Sequence, residues 1–143
     1  RLLALIFSML AVGVALQDTG AVDLIVDFLF PWLSQLPPQL VLWIVFLMAS
    51  LLTELVSNNA VAVVVTPIAI SLATALGVDP RPFVVAVMVA ASASFATPIG
   101  YQTNTLVYAP GGYRFTDYMR LGIPMNLGIS VISTLIIPQI WAF

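Results

Sequence analysis

The sequence predicts an all-α integral membrane fold whose helices are interrupted within the bilayer. Three observations lead there. Of 143 residues, 62% are hydrophobic and only 7% charged, too little polarity to cover a soluble domain, in which roughly a quarter of residues carry charge. Apolar runs with the length of bilayer spans recur from Leu2 to the last residues. Two of these runs are broken by hydrogen-bonding residues and proline, at Ser57-Asn58-Asn59 and at Thr97-Pro98.

The same composition excludes whole classes of function. The positive charge comes from four arginines, with no lysine and no histidine, which argues against a nucleic-acid partner. The net charge of -2 reflects scarce charge and not an acidic face. No cysteine is present, so there is no disulfide framework or thiolate nucleophile, and the absence of histidine removes the commonest general base and zinc ligand. No enzyme and no organic cofactor is expected. The chain starts at Arg1 without a Met and has no polar domain for a leader to deliver, so a signal peptide is not read here and a piece of a longer protein is expected.

Residues 1–20 read as a first spanning helix ending at the polar Gln17-Asp18-Thr19-Gly20. Residues 21–36 read as an interfacial amphipathic helix: Asp23 and Asp27 lie four apart, and Leu24, Ile25, Phe28, Leu29 and Trp32 fill the other side of the turn. Pro37-Pro38 ends it. Residues 38–76 hold two apolar runs around Ser57-Asn58-Asn59, together far longer than the roughly 20 residues a span needs, so a re-entrant helical hairpin with a polar tip is expected. An aqueous loop between two short spans is the alternative.

Residues 80–109 read as a broken helix. Asp79-Pro80-Arg81-Pro82 stops one helix and starts another, and Ala86, Ala90, Ala91 and Ala93 allow close packing in lipid. That helix is expected to run to Ala96 and to break at Thr97-Pro98, where proline removes a donor and Gly100 lets the chain turn. A loop at the membrane surface is the alternative. Residues 117–143 form the last spanning helix, softened by Gly122, Pro124 and Gly128 and closed by Trp141 and Phe143 at an interface. With Arg1, Arg114 and Arg120 on the cytoplasmic side, the positive-inside bias is met by three of the four arginines.

A polar hairpin tip and a broken helix in one short region are what a midplane binding site requires. Freed carbonyls at the end of a half-helix take a cation, and helix N-termini favour an anion. Asn58 and Asn59 offer donors to an anion and side-chain oxygens to a cation. Glu54 has two readings: neutralising a cation, or pairing with an arginine or backbone amide outside the substrate path. Asp18, Asp23, Asp27, Asp79 and Asp117 fall near ends and turns, where capping or solvation accounts for them.

The run Thr53-Glu54-Leu55-Val56-Ser57-Asn58-Asn59-Ala60, then Thr66-Pro67, Gly77-Val78-Asp79-Pro80 and Ala96-Thr97-Pro98, resembles the second, C-terminal inverted repeat of the divalent anion:sodium symporter family. The resemblance implies a transporter of two inverted repeats that carries a sodium-loaded anion by elevator-like motion within a homodimer, in a bacterial-type plasma membrane. Its first repeat would lie outside this chain. Carried over by position, sodium would meet Thr53, Val56, Asn58, Ala96 and Pro98, mostly through backbone carbonyls, and the anion would meet Ser57, Asn58, Asn59, Thr97 and Pro98. Sodium is then the coupling ion, and no other metal is implied. Asn59 stands where the family motif has Thr, and Ile99-Gly100-Tyr101-Gln102-Thr103-Asn104 is more similar to the sulfate-carrying branch than to dicarboxylate carriers. Sulfate is therefore ranked above dicarboxylate. The competing expectations are an antiporter or arsenite-type permease of related architecture, and a structural membrane subunit whose breaks only shape packing.

Overall fold

Proline and left-handed glycine divide the apolar chain into helices. In the computed structural model, which describes residues 2–143, these are α1 (Leu2–Asp18), α2 (Ala21–Leu33), α3 (Pro38–Thr53), α4 (Asn58–Ala75), α5 (Arg81–Ser92), α6 (Gln102–Tyr108) and α7 (Phe115–Ile140). No strand occurs among the described residues, and the fold is that of an all-α membrane protein. Arg1, whose charge enters the expected orientation, lies outside the described residues.

The turn between α4 and α5 shows how local chemistry sets the path. Gly77 takes a left-handed φ of 72°, its amide bonds the carbonyl of Thr74, and the amide of Val78 bonds that of Ala73. This paired closure satisfies two carbonyls at the helix end. Two residues on, Asp79 Oδ1 accepts the amide of Arg81 at 2.8 Å, capping α5, while Pro80 and Pro82 supply the fixed φ of a first turn. The chain reverses within five residues.

Helix α5 packs against both α3 and α4. Its Phe83, Ala86, Val87 and Ala90 are fully buried against Val41, Leu42, Phe46 and Ala49 of α3 and Ala69, Leu72 and Ala73 of α4. Alanine dominates these contacts because lipid gives no hydrophobic drive between helices, so close backbone approach and dispersion must hold them. At about 1.5 Å per residue, the 12 residues of α5 extend about 18 Å, well short of the roughly 30 Å hydrocarbon core. Among the described residues α4 and α7 are long and apolar enough to cross a membrane by themselves, and α3 and α5 are shorter apolar helices.

One expectation changes. The helix expected to reach Ala96 ends at Ser92, because Pro98 cannot continue a helical ladder and the amides of Phe95 and Ala96 are drawn to the Glu54 carboxylate instead. In α2 the residues turned inward are Val22, Val26 and Leu33, whereas Leu24, Phe28 and Trp32 are exposed. The helix is apolar on two faces, one seated on α4 and one turned outward.

Helix α7 carries a pattern of a different kind. Gly122, Asn126, Ser130 and Thr134 recur at four-residue spacing and form one stripe, of which Gly122, Ser130 and Thr134 are buried. The stripe docks on α3: Trp43 Nε1 donates to Ser130 Oγ at 3.0 Å. Pro138 frees the Thr134 carbonyl from the helical ladder, and Gln39 Nε2 donates to it at 3.4 Å. Leu121, Ile132 and Leu135 lie on the outer side.

Candidate functional site

Two helix ends meet beside the hairpin tip. Between Thr53, the last residue of α3, and Asn58, the first of α4, the chain turns in four residues. Ser57 is the N-cap of α4 and its hydroxyl accepts the amide of Ala60, one of the orphan donors at a helix start. Across from this turn the chain leaves α5 at Ser92 and runs without regular structure to Tyr101 before α6 begins. A cleft of about 440 Å³ opens between them, lined by Asn58, Ser92, Ser94, Tyr101, Thr103 and Asn104 among others.

The irregular segment is held by named bonds. Glu54 Oε1 accepts the amides of Phe95 at 2.9 Å and Ala96 at 2.8 Å. Thr97 Oγ1 donates to the Glu54 carbonyl at 2.8 Å and accepts the amide of Gly100 at 3.2 Å. Ser94 Oγ donates to the Thr53 carbonyl and Ser50 Oγ to the Ala93 carbonyl. From α6, Asn104 Nδ2 donates to the carbonyls of Ser94 and Thr97, and Thr105 Oγ1 to that of Pro98 at 2.6 Å. Hence carbonyls and amides released by the break are satisfied by side chains, as buried backbone must be.

Glycine permits two close approaches. A Cβ on Gly100 would sit 2.0 Å from Ser94 Oγ and 2.7 Å from the Thr53 carbonyl oxygen, and one on Gly122 would sit 2.3 Å from the carbonyl carbon of Phe95. The break is therefore clamped between the end of α3 and the face of α7.

The expected site residues divide into groups. Thr53 is fully buried, and its hydroxyl lies 2.8 Å from both Asn58 Oδ1 and the Ala91 carbonyl oxygen; a hydroxyl has one proton, so it donates to only one of them. Asn58 lines the cleft. Ala96 and Pro98 are buried beside the end of α3, while the Val56 side chain is exposed in the turn. Ser57 and Asn59 are exposed at the tip. The Thr97 hydroxyl is engaged in both directions. Sequence reasoning missed Ser94 as a lining residue, and it missed Asn126, whose Nδ2 donates to Glu54 Oε1 at 2.8 Å; the four-residue stripe on α7 is the signal that finds it. For Glu54, the geometry matches pairing with backbone amides. Asp79 and Asp117 act as local caps, the latter accepting the amide of Arg114 at 2.8 Å. Of Gln102, Thr103 and Asn104, the last two line the cleft, and the Asn104 amide is committed to the break.

This arrangement suits binding and release more than covalent chemistry: hydroxyls, amides and carbonyls converge with no acid–base pair. Known proteins are similar to this chain in sequence. The sequence profile described as citrate transporter matches residues 1–143. An uncharacterized transporter of Synechocystis is 40% identical over 96% of this chain, and the transporter YfbS of Escherichia coli, also uncharacterized, is 38% identical over 97% of it. Solute carrier family 13 member 2 of the rabbit is 31% identical over 81% of the chain and 20% of its own length, and sodium/sulfate cotransporter 1 of Chlamydomonas is 36% identical over 65% and 11%. The chain spans 22% and 23% of the two bacterial relatives. The chain belongs to the citrate transporter family, in line with the divalent anion:sodium symporter kinship that its Ser57-Asn58-Asn59 tip and Ala96-Thr97-Pro98 break carry.

Proposed function

We propose that this chain is the C-terminal repeat of a sodium-coupled anion symporter, with sulfate favoured over dicarboxylate, working with a first repeat and as a homodimer in a bacterial-type plasma membrane. The observation that carries the reading is Asn58, which begins α4, lines the cleft and touches Thr53. The Ala91 carbonyl belongs to the last turn of α5 and is freed from the ladder by the break, so the Thr53 proton goes there. In the structure Asn58 Oδ1 faces Thr53 Oγ1 at 2.8 Å; turning the amide over, so that Nδ2 donates to Thr53 Oγ1, presents Oδ1 to the cleft. Sodium, a hard cation, takes that oxygen together with carbonyls from Thr53, Val56, Ala96 and Pro98.

The anion is met by Ser57, Asn58 and Asn59 at the N-terminus of the 18-residue α4, where the helix dipole favours negative charge; Thr97, whose hydroxyl is committed to Glu54 and Gly100, and Pro98 meet it only as the wall of the break. Neutral donors hold a divalent oxyanion without a fixed positive charge that would slow its release. Among the relatives, the algal cotransporters are named for sodium and sulfate, which supports that substrate, whereas the family profile is named for citrate; the preference for sulfate over a carboxylate rests on Asn59 and the Ile99–Asn104 run.

The test is uptake by the reconstituted full-length transporter that carries this sequence. Sodium-driven sulfate uptake is expected, with Asn58→Leu raising the sodium concentration needed for half-maximal rate. Asn59→Thr should weaken sulfate more than succinate or citrate as competitors. Sodium-driven carboxylate uptake with no competition from sulfate would overturn the substrate, and an unchanged sodium dependence in Asn58→Leu would remove that side chain from the ion site.

A further inference from the structure

Asn126 lies 72 residues from Glu54 in the chain, on a helix that contributes nothing to the cleft lining, yet its amide reaches the carboxylate that organises the break. We propose that Asn126 is a positioning residue of the ion site: from α7, through Glu54 Oε1, it sets where Ala96 stands relative to Asn58. The inference rests on the reading of Ala96 and Asn58 as sodium ligands.

Three N–H donors converge on one oxygen. Glu54 Oε1 accepts Phe95 N at 2.9 Å, Ala96 N at 2.8 Å and Asn126 Nδ2 at 2.8 Å. Glu54 is only 5% exposed, and hydrogen bonds to a buried carboxylate are short, strong and geometrically demanding. A donor that pulls on this oxygen therefore also places the two amides. The carbonyl that would face sodium belongs to Ala96, one of those two residues.

A second contact on the same face of α7 fixes the register. Gly122, one turn before Asn126, lets the helix approach the Phe95–Ala96 backbone so closely that a Cβ would lie 2.3 Å from Phe95 and 2.4 Å from the Cα of Ala96. Gly122 sets the distance and Asn126 sets the orientation. By contrast Ser130, two turns along, ties α7 to Trp43 of α3 and touches no part of the break. The stripe thus has a part that acts on the site and a part that only packs.

The test uses the full-length transporter in proteoliposomes, reading the sodium half-saturation and the maximal rate of anion uptake. Asn126→Leu is expected to raise the sodium half-saturation about tenfold, the loss of one hydrogen bond to a charged group, while the anion half-saturation at saturating sodium stays near that of the parent. Ser130→Ala, which breaks an α7–α3 bond away from the break, should lower thermal stability and leave the sodium half-saturation unchanged. If Asn126→Leu does not fold, Asn126→Ala, which removes the donor without adding bulk or a second carboxyl beside Glu54, is expected to give the same sodium shift. An unchanged sodium half-saturation in the folded variant overturns the proposal, as does a shift of equal size in Ser130→Ala, which would assign the effect to loosened packing. A parent protein whose uptake ignores sodium would overturn the ion site itself along with this inference, a result distinct from either variant outcome.

Discussion

At the hairpin tip Ser57 and Asn59 stand exposed, and the turn is held by few bonds: the Ser57 cap, the contact of Asn58 with Thr53, and two backbone bonds from Leu55 and Val56 to Leu52. Across the cleft the break is tied by Glu54, Thr97, Ser94, Asn104 and Thr105, and clamped by Gly100 and Gly122. Both regions look alike in sequence, short polar interruptions of apolar helices. The difference lies in where the polar groups are directed. Those of the break satisfy protein backbone in a medium without water, whereas at the tip Ser57 caps α4, Asn58 meets Thr53 and the exposed Asn59 is not drawn into backbone. A polar residue inside a membrane segment is thus not by itself a ligand-binding residue; its partners decide.

Substitutions that separate stability from transport sharpen this contrast, and the largest effect is expected at Glu54. Glu54→Ala leaves the amides of Phe95 and Ala96 without an acceptor, on the order of 4 kcal/mol at roughly 2 kcal/mol for each buried amide. A large fall in the apparent melting temperature of the detergent-purified protein is the readout. A small fall would mean that the break finds its amide partners elsewhere.

Next comes the glycine clamp. Gly122→Ala places a Cβ against backbone and not against a movable side chain end, which costs about 1–3 kcal/mol as overpacking. Gly128, on the same helix, has nothing within 4 Å of an added Cβ. Gly128→Ala should therefore match or exceed the parent in thermal stability, since alanine is favoured over glycine in a helix by roughly 1 kcal/mol. Equal melting temperatures for the two variants would dissolve the clamp.

A smaller loss is expected for Thr97→Val, which keeps the shape but removes a donor to the Glu54 carbonyl and an acceptor for Gly100, about 1–2 kcal/mol. The smallest is expected at the tip. Asn59→Ala should change stability by no more than about 0.5 kcal/mol, as exposed substitutions do, while the anion half-saturation of transport rises. If Asn59→Ala destabilises as much as Thr97→Val, the two regions are not different in kind.

The break at Thr97-Pro98 was legible because proline and glycine act on their own backbone; an interruption near Ser57 was legible too, but the turn falls at residues 54–57, and Asn58 and Asn59, expected in the tip, already belong to α4, which Ser57 caps. The end of α5 at Ser92 was not legible: nothing between Ala93 and Ala96 disfavours a helix locally, and the ladder stops because Glu54, about forty residues earlier in the chain, competes for the amides. Which apolar residues of α2 meet α4 was not legible for a related reason. When most residues are apolar, periodicity does not say which apolar side meets protein and which is turned outward.

Composition, the order of apolar runs and the position of their interruptions fix a membrane protein with a polar tip and a broken helix, since these follow from transfer of side chains to lipid and from the backbone limits of proline, glycine and serine. Only the tertiary structure decided that Glu54 binds backbone amides, that Thr97 turns its hydroxyl inward while Asn59 stays free, and that Asn126 reaches the break from α7. Those outcomes depend on which donors and acceptors meet across residues far apart in the chain, and no local preference encodes that meeting.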